Sequence, residues 1–162
     1  MIQNKNIKRI LIICTGNTAR SPAAEYLAKS YGAKYKVNLN FDSAGFINAF
    51  SYMQPESQEY LNSKGIDHSD FQPKIINKEL LERQDLIITM ENHHVNQIIS
   101  NFNDIKDIEK KTFTLKSFNG SNGDIIDPYY TNRTTYLKVL KEIDDNIEQM
   151  VKKIIEINKS RN

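Results

Sequence analysis

One eight-residue segment of the sequence combines a nucleophile with residue types that bind phosphate. It reads Cys14-Thr15-Gly16-Asn17-Thr18-Ala19-Arg20-Ser21. Gly16 and Asn17 tolerate positive φ angles, so the backbone can curl and turn its N–H groups inward as an anion-binding nest. The positive potential of such a nest favours the thiolate form of a cysteine at its rim. The segment therefore predicts a nucleophilic thiolate, Cys14, inside a phosphate-binding loop.

Two more residues of this segment and one distant aspartate complete the predicted chemistry. Arg20 carries a planar fork of donors that fits two phosphate oxygens, and Ser21 can donate its hydroxyl hydrogen to the thiolate. Asp127 precedes a proline in a later loop, where it is the candidate acid that protonates a leaving group. Together these residues predict a nucleophile inside a phosphate cradle, with a proton donor for the group that leaves phosphorus.

The pattern of apolar residues predicts the elements that position this chemistry. The predicted strands cover residues 10–14, 37–42, 85–90 and 112–115, and the predicted helices residues 21–32, 55–64, 91–102 and 132–158. Strands that alternate with helices indicate a parallel sheet. We therefore predict one α/β domain over residues 1–162, with a four-stranded parallel sheet, helices on both faces and the phosphate-binding loop after the first strand. Residues 1–7 are expected to be a flexible N-terminal extension, and residues 117–130 a loop.

Composition limits the partners and the compartment. The 162 residues carry 22 Lys+Arg against 20 Asp+Glu, and a net charge of +2 is too small to indicate nucleic acid or an anionic membrane as main partner. The longest apolar run, residues 10–14, is far shorter than the ~20 residues of a membrane span. One cysteine excludes an intrachain disulfide and favours a reducing compartment. We expect a cytoplasmic monomer without a cofactor.

The adjacent histidines His93 and His94 are the one pattern that suggests a metal. The sequence has no HExxH or CxxC motif, and no third ligand clusters with the pair. We therefore predict a solvated first helical turn at this position and no metal site.

The segment from Cys14 to Ser21, with the Pro-Ala-Ala-Glu that follows it, resembles the signature of the low-molecular-weight protein tyrosine phosphatases. Two later landmarks, Ser43-Ala44-Gly45 and Asp127-Pro128-Tyr129-Tyr130, match that family in order, and the resemblance runs from residue 8 to about 157. It implies Cys14 as nucleophile, Arg20 as phosphate clamp and Asp127 as acid and then base. We therefore expect metal-free hydrolysis of a phosphomonoester through a phosphocysteine. It also implies a set of phosphate-binding and loop-supporting residues: Thr15, Gly16, Asn17, Thr18, Ala19, Ser21 and Ser43. The implied partners are phosphorylated proteins as substrates, and inorganic phosphate and other oxyanions as inhibitors.

Departures from the family pattern concern the loop support and the pocket wall. A histidine that commonly supports the loop is replaced by Phe71, with His68 three residues away. The aromatic wall after Ser-Ala-Gly falls near Ala49, which leaves Phe50 or Tyr52 to form it. Position 19 holds alanine where the family often has a second cysteine, so no protective disulfide can form.

The resemblance leaves the substrate open. Tyr129 and Tyr130 beside Asp127 favour a flat aromatic leaving group and thus phosphotyrosine. Thr18, in contrast, resembles the loop of bacterial protein-arginine phosphatases, whose later segment is similar to residues 113–116 with 123–124. We favour phosphotyrosine, with phosphoarginine as the alternative.

Three other functions fit the residues less well. An arsenate reductase would need an external thiol, because Cys14 is the only cysteine. A phosphocysteine carrier would not need Arg20 or Asp127. A non-catalytic phosphate-binding module would not need Cys14 and Asp127 together.

Overall fold

Four parallel strands form the sheet of this protein in a computed structural model that describes residues 5–162. Their spatial order is β2-β1-β3-β4, and every neighbouring pair is parallel. The strands are β1 (Arg9–Cys14), β2 (Asn40–Gly45), β3 (Leu86–Thr89) and β4 (Thr112–Thr114). The predicted four-stranded parallel sheet is confirmed.

Alternate side chains of β1 pack against opposite layers, which explains its continuous apolar run. Ile10 and Ile12 belong to one core cluster, whereas Leu11 and Ile13 belong to the other. The first cluster packs against four helices: α1 (Arg20–Lys34), α2 (Pro55–Ser63), α6 (Leu115–Phe118) and α7 (Arg133–Ser160). The second cluster packs against three: α3 (Lys78–Glu82), α4 (Asn92–Asn101) and α5 (Ile108–Lys111). Helices therefore cover both faces, as predicted.

Some element boundaries differ from the sequence prediction. The second strand begins at Asn40 rather than at residue 37, because Lys36 has a φ of 55° and Asn40 is the residue that pairs with Arg9. The pattern also missed α5 and α6, since four-residue helices show too little periodicity to be recognised.

The expected N-terminal extension falls partly outside the described residues. Residues 1–4 are not described, but Ile7 is fully buried and donates its N–H to Asn158 Oδ1 at 2.7 Å. The expectation of flexibility is therefore wrong for Ile7, because its apolar side chain completes the core beside α7.

The sheet order places a topological switch point at β1. The chain leaves β1 toward β2 on one side, and β3 lies on the other side. In such sheets ligands bind beyond the carboxyl ends of the strands at the switch point, which is where residues 14–20 lie. Among residues 5–162, no helix has the length and apolar character needed to cross a membrane.

Candidate active site

The loop between β1 and α1 has the curled backbone expected from its sequence. Asn17 has a φ of 53°, in the left-handed region. The end of β2 approaches this loop so closely that a Cβ atom on Gly45 would lie 2.7 Å from the Asn17 backbone nitrogen. The carbonyl of Thr15 accepts N–H groups from Phe46 and Ile47 at 2.7 and 3.1 Å. The loop is thus held by the strand beside it.

Cys14 lies at the end of β1 and is 2% exposed. Its Sγ lies 3.0 Å from Ser21 Oγ and 3.4 Å from the Ser21 backbone nitrogen. Asn17 Nδ2 donates to Ser21 Oγ at 2.9 Å, and the Ser21 hydroxyl also lies 3.5 Å from the Ala44 carbonyl oxygen. The Ser21 hydroxyl and backbone N–H therefore both lie beside the sulfur, where they can donate hydrogen bonds to it.

A buried chain of polar side chains supports the loop from below. Asn17 Nδ2 donates to Ser43 Oγ at 2.9 Å, and Ser43 donates to the carboxylate of Glu25 at 2.5 Å. Burial raises the pKa of Glu25, while hydrogen bonds from Lys29 and Ser43 act in the opposite direction. The structure thus brings the predicted residues Asn17, Ser21 and Ser43 together and adds Glu25, the last residue of the Pro-Ala-Ala-Glu that follows the loop.

The missing loop-supporting histidine has a backbone substitute. The N–H of Lys74 donates to Asn17 Oδ1 at 3.0 Å, so the Asn17 amide has a partner on both sides. His68 instead bonds to Asn62, and Phe71 packs edge-on against Tyr26.

Arg20 is buried and is held by two groups from distant segments and by one group of its own loop. Its NH1 donates to Glu91 Oε2 at 2.7 Å and to the Ile125 carbonyl at 2.6 Å, and its NH2 contacts Thr15 Oγ1 at 3.4 Å. Asp127 Oδ2 lies 3.9 Å from the same NH2. Burial alone would raise the pKa of Glu91, but the Arg20 guanidinium lowers it overall. The guanidinium is therefore fixed before any ligand binds.

His94 is fully buried and reaches the same loop from α4. Its Nδ1 accepts the N–H of Glu91 at 3.2 Å, so the neutral ring carries its hydrogen on Nε2 and donates it to Thr15 Oγ1 at 3.0 Å. Burial, together with the charge of Arg20, lowers the pKa of His94 to about 4. Phe46 stacks on this ring, with centroids 5.1 Å apart.

Thr18 and Ala19 at the end of the loop contact the start of α2 and the long helix α7. Gln54 Nε2 donates to Thr18 Oγ1 at 3.3 Å, and Gln54 Oε1 accepts from the Tyr136 hydroxyl at 2.8 Å. Ser57 Oγ donates to the Ala19 carbonyl at 2.9 Å. These contacts fix the position of the Thr18 hydroxyl at the pocket wall.

Asp127 and the loop share one pocket of about 250 Å³. Asp127 is half exposed, and its Oδ1 accepts the Tyr129 N–H at 3.1 Å, which orients the carboxylate. The pocket is lined by Cys14, Thr15, Gly16, Thr18, Ala19, Arg20, Ile47, Ala49, Phe50, Gln54, Asp127, Tyr129 and Tyr130. The predicted nucleophile, clamp and acid therefore lie around a single space.

The aromatic wall is formed by Phe50 and not by Tyr52. Phe50 and Tyr129 contact each other edge to face at a centroid distance of 5.4 Å, and Tyr130 is 96% exposed beside them. Tyr52 packs against Phe50 but lines a separate surface cleft, so the prediction of Tyr52 as a pocket residue is wrong.

The expectation that no third ligand clusters with His93 and His94 is also wrong. Glu91 is the N-cap of α4, and its carboxylate lies 3.4 Å from His93 Nε2 and 3.7 Å from His94 Nε2. The three donor atoms all lie within 4.8 Å of one another. The sequence pattern places Glu91 at the start of a helix and gives no sign that its carboxylate turns toward the two histidines.

Several residues that organise the site carry no local sequence signal. Glu91, His94, Gln54 and Tyr136 come from three distant segments and contact the loop only in the folded chain. The one available signal was His94, a polar residue close to the apolar positions of α4, where it is buried together with Ile98.

Comparison with known proteins agrees with this geometry. Residues 9–161 match the family described as low molecular weight phosphotyrosine protein phosphatase. The chain is 35% identical to a protein-arginine-phosphatase of Bacillus subtilis, over 90% of this chain and 95% of the relative. It is 32% identical to a low molecular weight protein-tyrosine-phosphatase of Staphylococcus haemolyticus, over 83% and 91%. A solved structure of the YwlE arginine phosphatase, a cysteine-to-serine mutant with a phosphorylated active-site serine, is 31% identical with a TM-score of 0.84, over 95% and 99%.

A parallel sheet with a cysteine-containing phosphate loop at its switch point defines a cysteine-dependent phosphatase. The chain belongs to the low-molecular-weight protein tyrosine phosphatase family, and it is a hydrolase that acts on phosphoproteins.

Proposed function

We propose that the protein dephosphorylates phosphotyrosine in proteins through a phosphocysteine on Cys14. The observation that carries this proposal is that Cys14, Arg20 and Asp127 line one pocket, with the Ser21 hydroxyl and backbone N–H beside the Cys14 sulfur. The relative with a phosphorylated serine in place of its cysteine supports the same covalent position. The site residues below are assigned on this basis.

In the first step the Cys14 thiolate attacks phosphorus, and the bond from phosphorus to the tyrosyl oxygen breaks. Asp127 gives its proton to that oxygen, so tyrosine leaves as a neutral phenol. The Arg20 fork and the loop N–H groups hold the phosphoryl oxygens, on which negative charge is spread. Glu91 and the Ile125 carbonyl keep the guanidinium in place, so little reorganisation is needed.

In the second step a water molecule attacks the same phosphorus from the side that the phenol has left. Asp127, now a carboxylate, takes the proton of the water, and the bond between sulfur and phosphorus breaks. Inorganic phosphate leaves and Cys14 becomes a thiolate again. Ser21 stabilises this leaving sulfur, because its hydroxyl lies 3.0 Å from Sγ and can donate a hydrogen bond to it.

The aromatic entrance supports phosphotyrosine as the substrate. Phe50, Tyr129 and Tyr130 flank the pocket next to Asp127, and offset stacking of aromatic rings contributes about 0.5–1.5 kcal/mol beyond burial. The Thr18 hydroxyl oxygen already accepts a hydrogen bond from Gln54. A phenyl ring placed beside Thr18 therefore does not leave this oxygen without a partner.

Phosphoarginine is the second candidate substrate, and Thr18 is the observation that favours it. A guanidinium offers only N–H donors, and Thr18 Oγ1 keeps a lone pair besides the one used by Gln54. The half-exposed Asp127 carboxylate supplies a negative charge for the same group. Two arginine phosphatases are also among the relatives that the chain matches over 90% of its length.

The test compares kcat/KM for phosphotyrosine and phosphoarginine in peptides of otherwise identical sequence. We expect the phosphotyrosine peptide to be preferred about tenfold, equivalent to about 1.4 kcal/mol in the transition state. Thr18→Ile serves as the matched variant, since it removes the hydroxyl and keeps a branched side chain. A tenfold preference for phosphoarginine that Thr18→Ile reverses would replace the first candidate with the second.

A further inference from the structure

Glu91, His93 and His94 form a set of three potential metal ligands beside the catalytic loop. The set combines one carboxylate and two imidazoles, which are the donors that Zn²⁺ commonly accepts. His93 is 59% exposed, Glu91 is 21% exposed and His94 is fully buried, so the set opens to solvent on one side only.

We propose that these three residues bind a Zn²⁺ ion or a similar divalent transition metal, and that this binding inhibits the phosphatase. The site is distinct from the phosphate pocket, and its occupation does not depend on which phosphorylated residue is the substrate. It differs from a cofactor site because the reaction itself needs no metal.

The distances between the donor atoms are close to those of a tetrahedral zinc site. Zinc bonds of 2.0–2.1 Å to nitrogen and oxygen place neighbouring ligand atoms about 3.3 Å apart. Glu91 Oε1 lies 3.4 Å from His93 Nε2, and Glu91 Oε2 lies 3.7 Å from His94 Nε2. With one donor atom from each residue, all three lie within 4.8 Å of one another, so the side chains must move closer together to bind one ion. Water fills the fourth position.

Inhibition follows because two of the three ligands also hold the active arrangement. Glu91 Oε2 accepts from Arg20 at 2.7 Å, and His94 Nε2 donates to Thr15 at 3.0 Å. A metal on Nε2 of His94 requires that this nitrogen lose its hydrogen, so the bond to Thr15 is lost. If the ring moves its hydrogen to Nδ1, the N–H of Glu91 also loses its acceptor. Metal binding therefore breaks the contact between His94 and Thr15 and competes with Arg20 for the Glu91 carboxylate.

The first experiment measures Zn²⁺ binding directly by isothermal titration calorimetry. It uses Cys14→Ser protein, because the thiolate is a competing zinc ligand. We expect one Zn²⁺ per chain, and we expect His93→Asn in the same background to weaken binding by about tenfold or more. His68→Asn is the matched control, since His68 is the one histidine outside the cluster. Equal binding in the His93→Asn and His68→Asn proteins would overturn the proposal.

The second experiment measures hydrolysis of p-nitrophenyl phosphate by protein with Cys14 intact, over a series of Zn²⁺ concentrations. We expect His93→Asn to keep its basal activity and to need about tenfold more Zn²⁺ for half-inhibition, while His68→Asn behaves like the wild type. EDTA should restore full activity. Inhibition that is unchanged in His93→Asn would assign zinc to Cys14 and overturn the inhibitory site. The calorimetry does not involve a substrate, so failure of the phosphotyrosine assignment remains distinguishable.

Discussion

Gly45 at the end of β2 lies against the backbone of Asn17 in the phosphate loop. A Cβ atom at position 45 would sit 2.7 Å from the Asn17 nitrogen and 2.9 Å from the Thr15 carbonyl oxygen. Both contacts are with backbone atoms, which cannot rotate away. The shape of the anion-binding loop therefore depends on a residue from the neighbouring strand that has no side chain.

Gly45→Ala should lower the free energy of unfolding by about 1–3 kcal/mol and weaken phosphate binding, because the loop must move to admit the methyl group. Gly32→Ala is the control, since a Cβ there meets Phe41 at an ordinary 3.5 Å and alanine favours the interior of α1. Urea unfolding and the inhibition constant of phosphate measure both effects. Equal stability of the two variants would contradict the close contact.

Asp127→Asn and Asp127→Ala separate proton transfer from loop geometry. Asparagine keeps an acceptor for the Tyr129 N–H, whereas alanine removes it. Both variants should lose roughly 10²–10⁴ in rate with an alkyl or phenyl phosphate, whose leaving group needs a proton. The loss in the burst phase should be smaller with p-nitrophenyl phosphate, and equal losses for both substrates would assign the acid to another group.

His94 should make stability depend on pH between about 6.5 and 4. Its pKa is about 4 in the folded chain and about 6.5 when unfolded, so in this window the unfolded chain binds more protons. The free energy of unfolding therefore falls as the pH falls, by about 3 kcal/mol at most, and does so less in His94→Gln. Urea unfolding at pH 7 and pH 5 tests this. The same difference in unfolding free energy between wild type and His94→Gln at both pH values would contradict it.

Peroxide should inactivate the enzyme irreversibly on long exposure. Cys14 is the only cysteine, and Ala19 occupies the position from which a second thiol could trap the sulfenic acid. Oxidation should therefore proceed to sulfinic and sulfonic acids, which mass spectrometry detects. Full recovery with dithiothreitol after prolonged treatment, with no other thiol present, would be inconsistent with this expectation. Phosphate bound during exposure to peroxide should slow the loss of activity, because it covers the Cys14 sulfur.

The loop and the sheet could be predicted because their signals are local. Residues 14–21 carry nucleophile, turn residues and clamp in one continuous segment, and the apolar run before them has the length of a buried strand. The stripe on α7 from Leu140 to Ile154 likewise follows from helical periodicity. In each case neighbouring residues contain the whole pattern.

The groups that hold Arg20, Thr15 and Thr18 could not be predicted in this way. Glu91 and Gln54 reach the loop because β3 ends and α2 begins beside it, and nothing in their own neighbourhood indicates such a partner. The error at Tyr52 has the same origin, since the direction of a loop side chain depends on what packs around it.

The amino-acid sequence by itself therefore determined the fold class, and residue type and local motifs predict the nucleophile, the clamp and the acid. Tertiary structure alone decided that Glu91 pairs with Arg20 and that His94 stays neutral against Thr15. The physical reason is that these two properties depend on burial and on long-range contacts. The parallel sheet creates both by bringing the ends of separate strands to one edge.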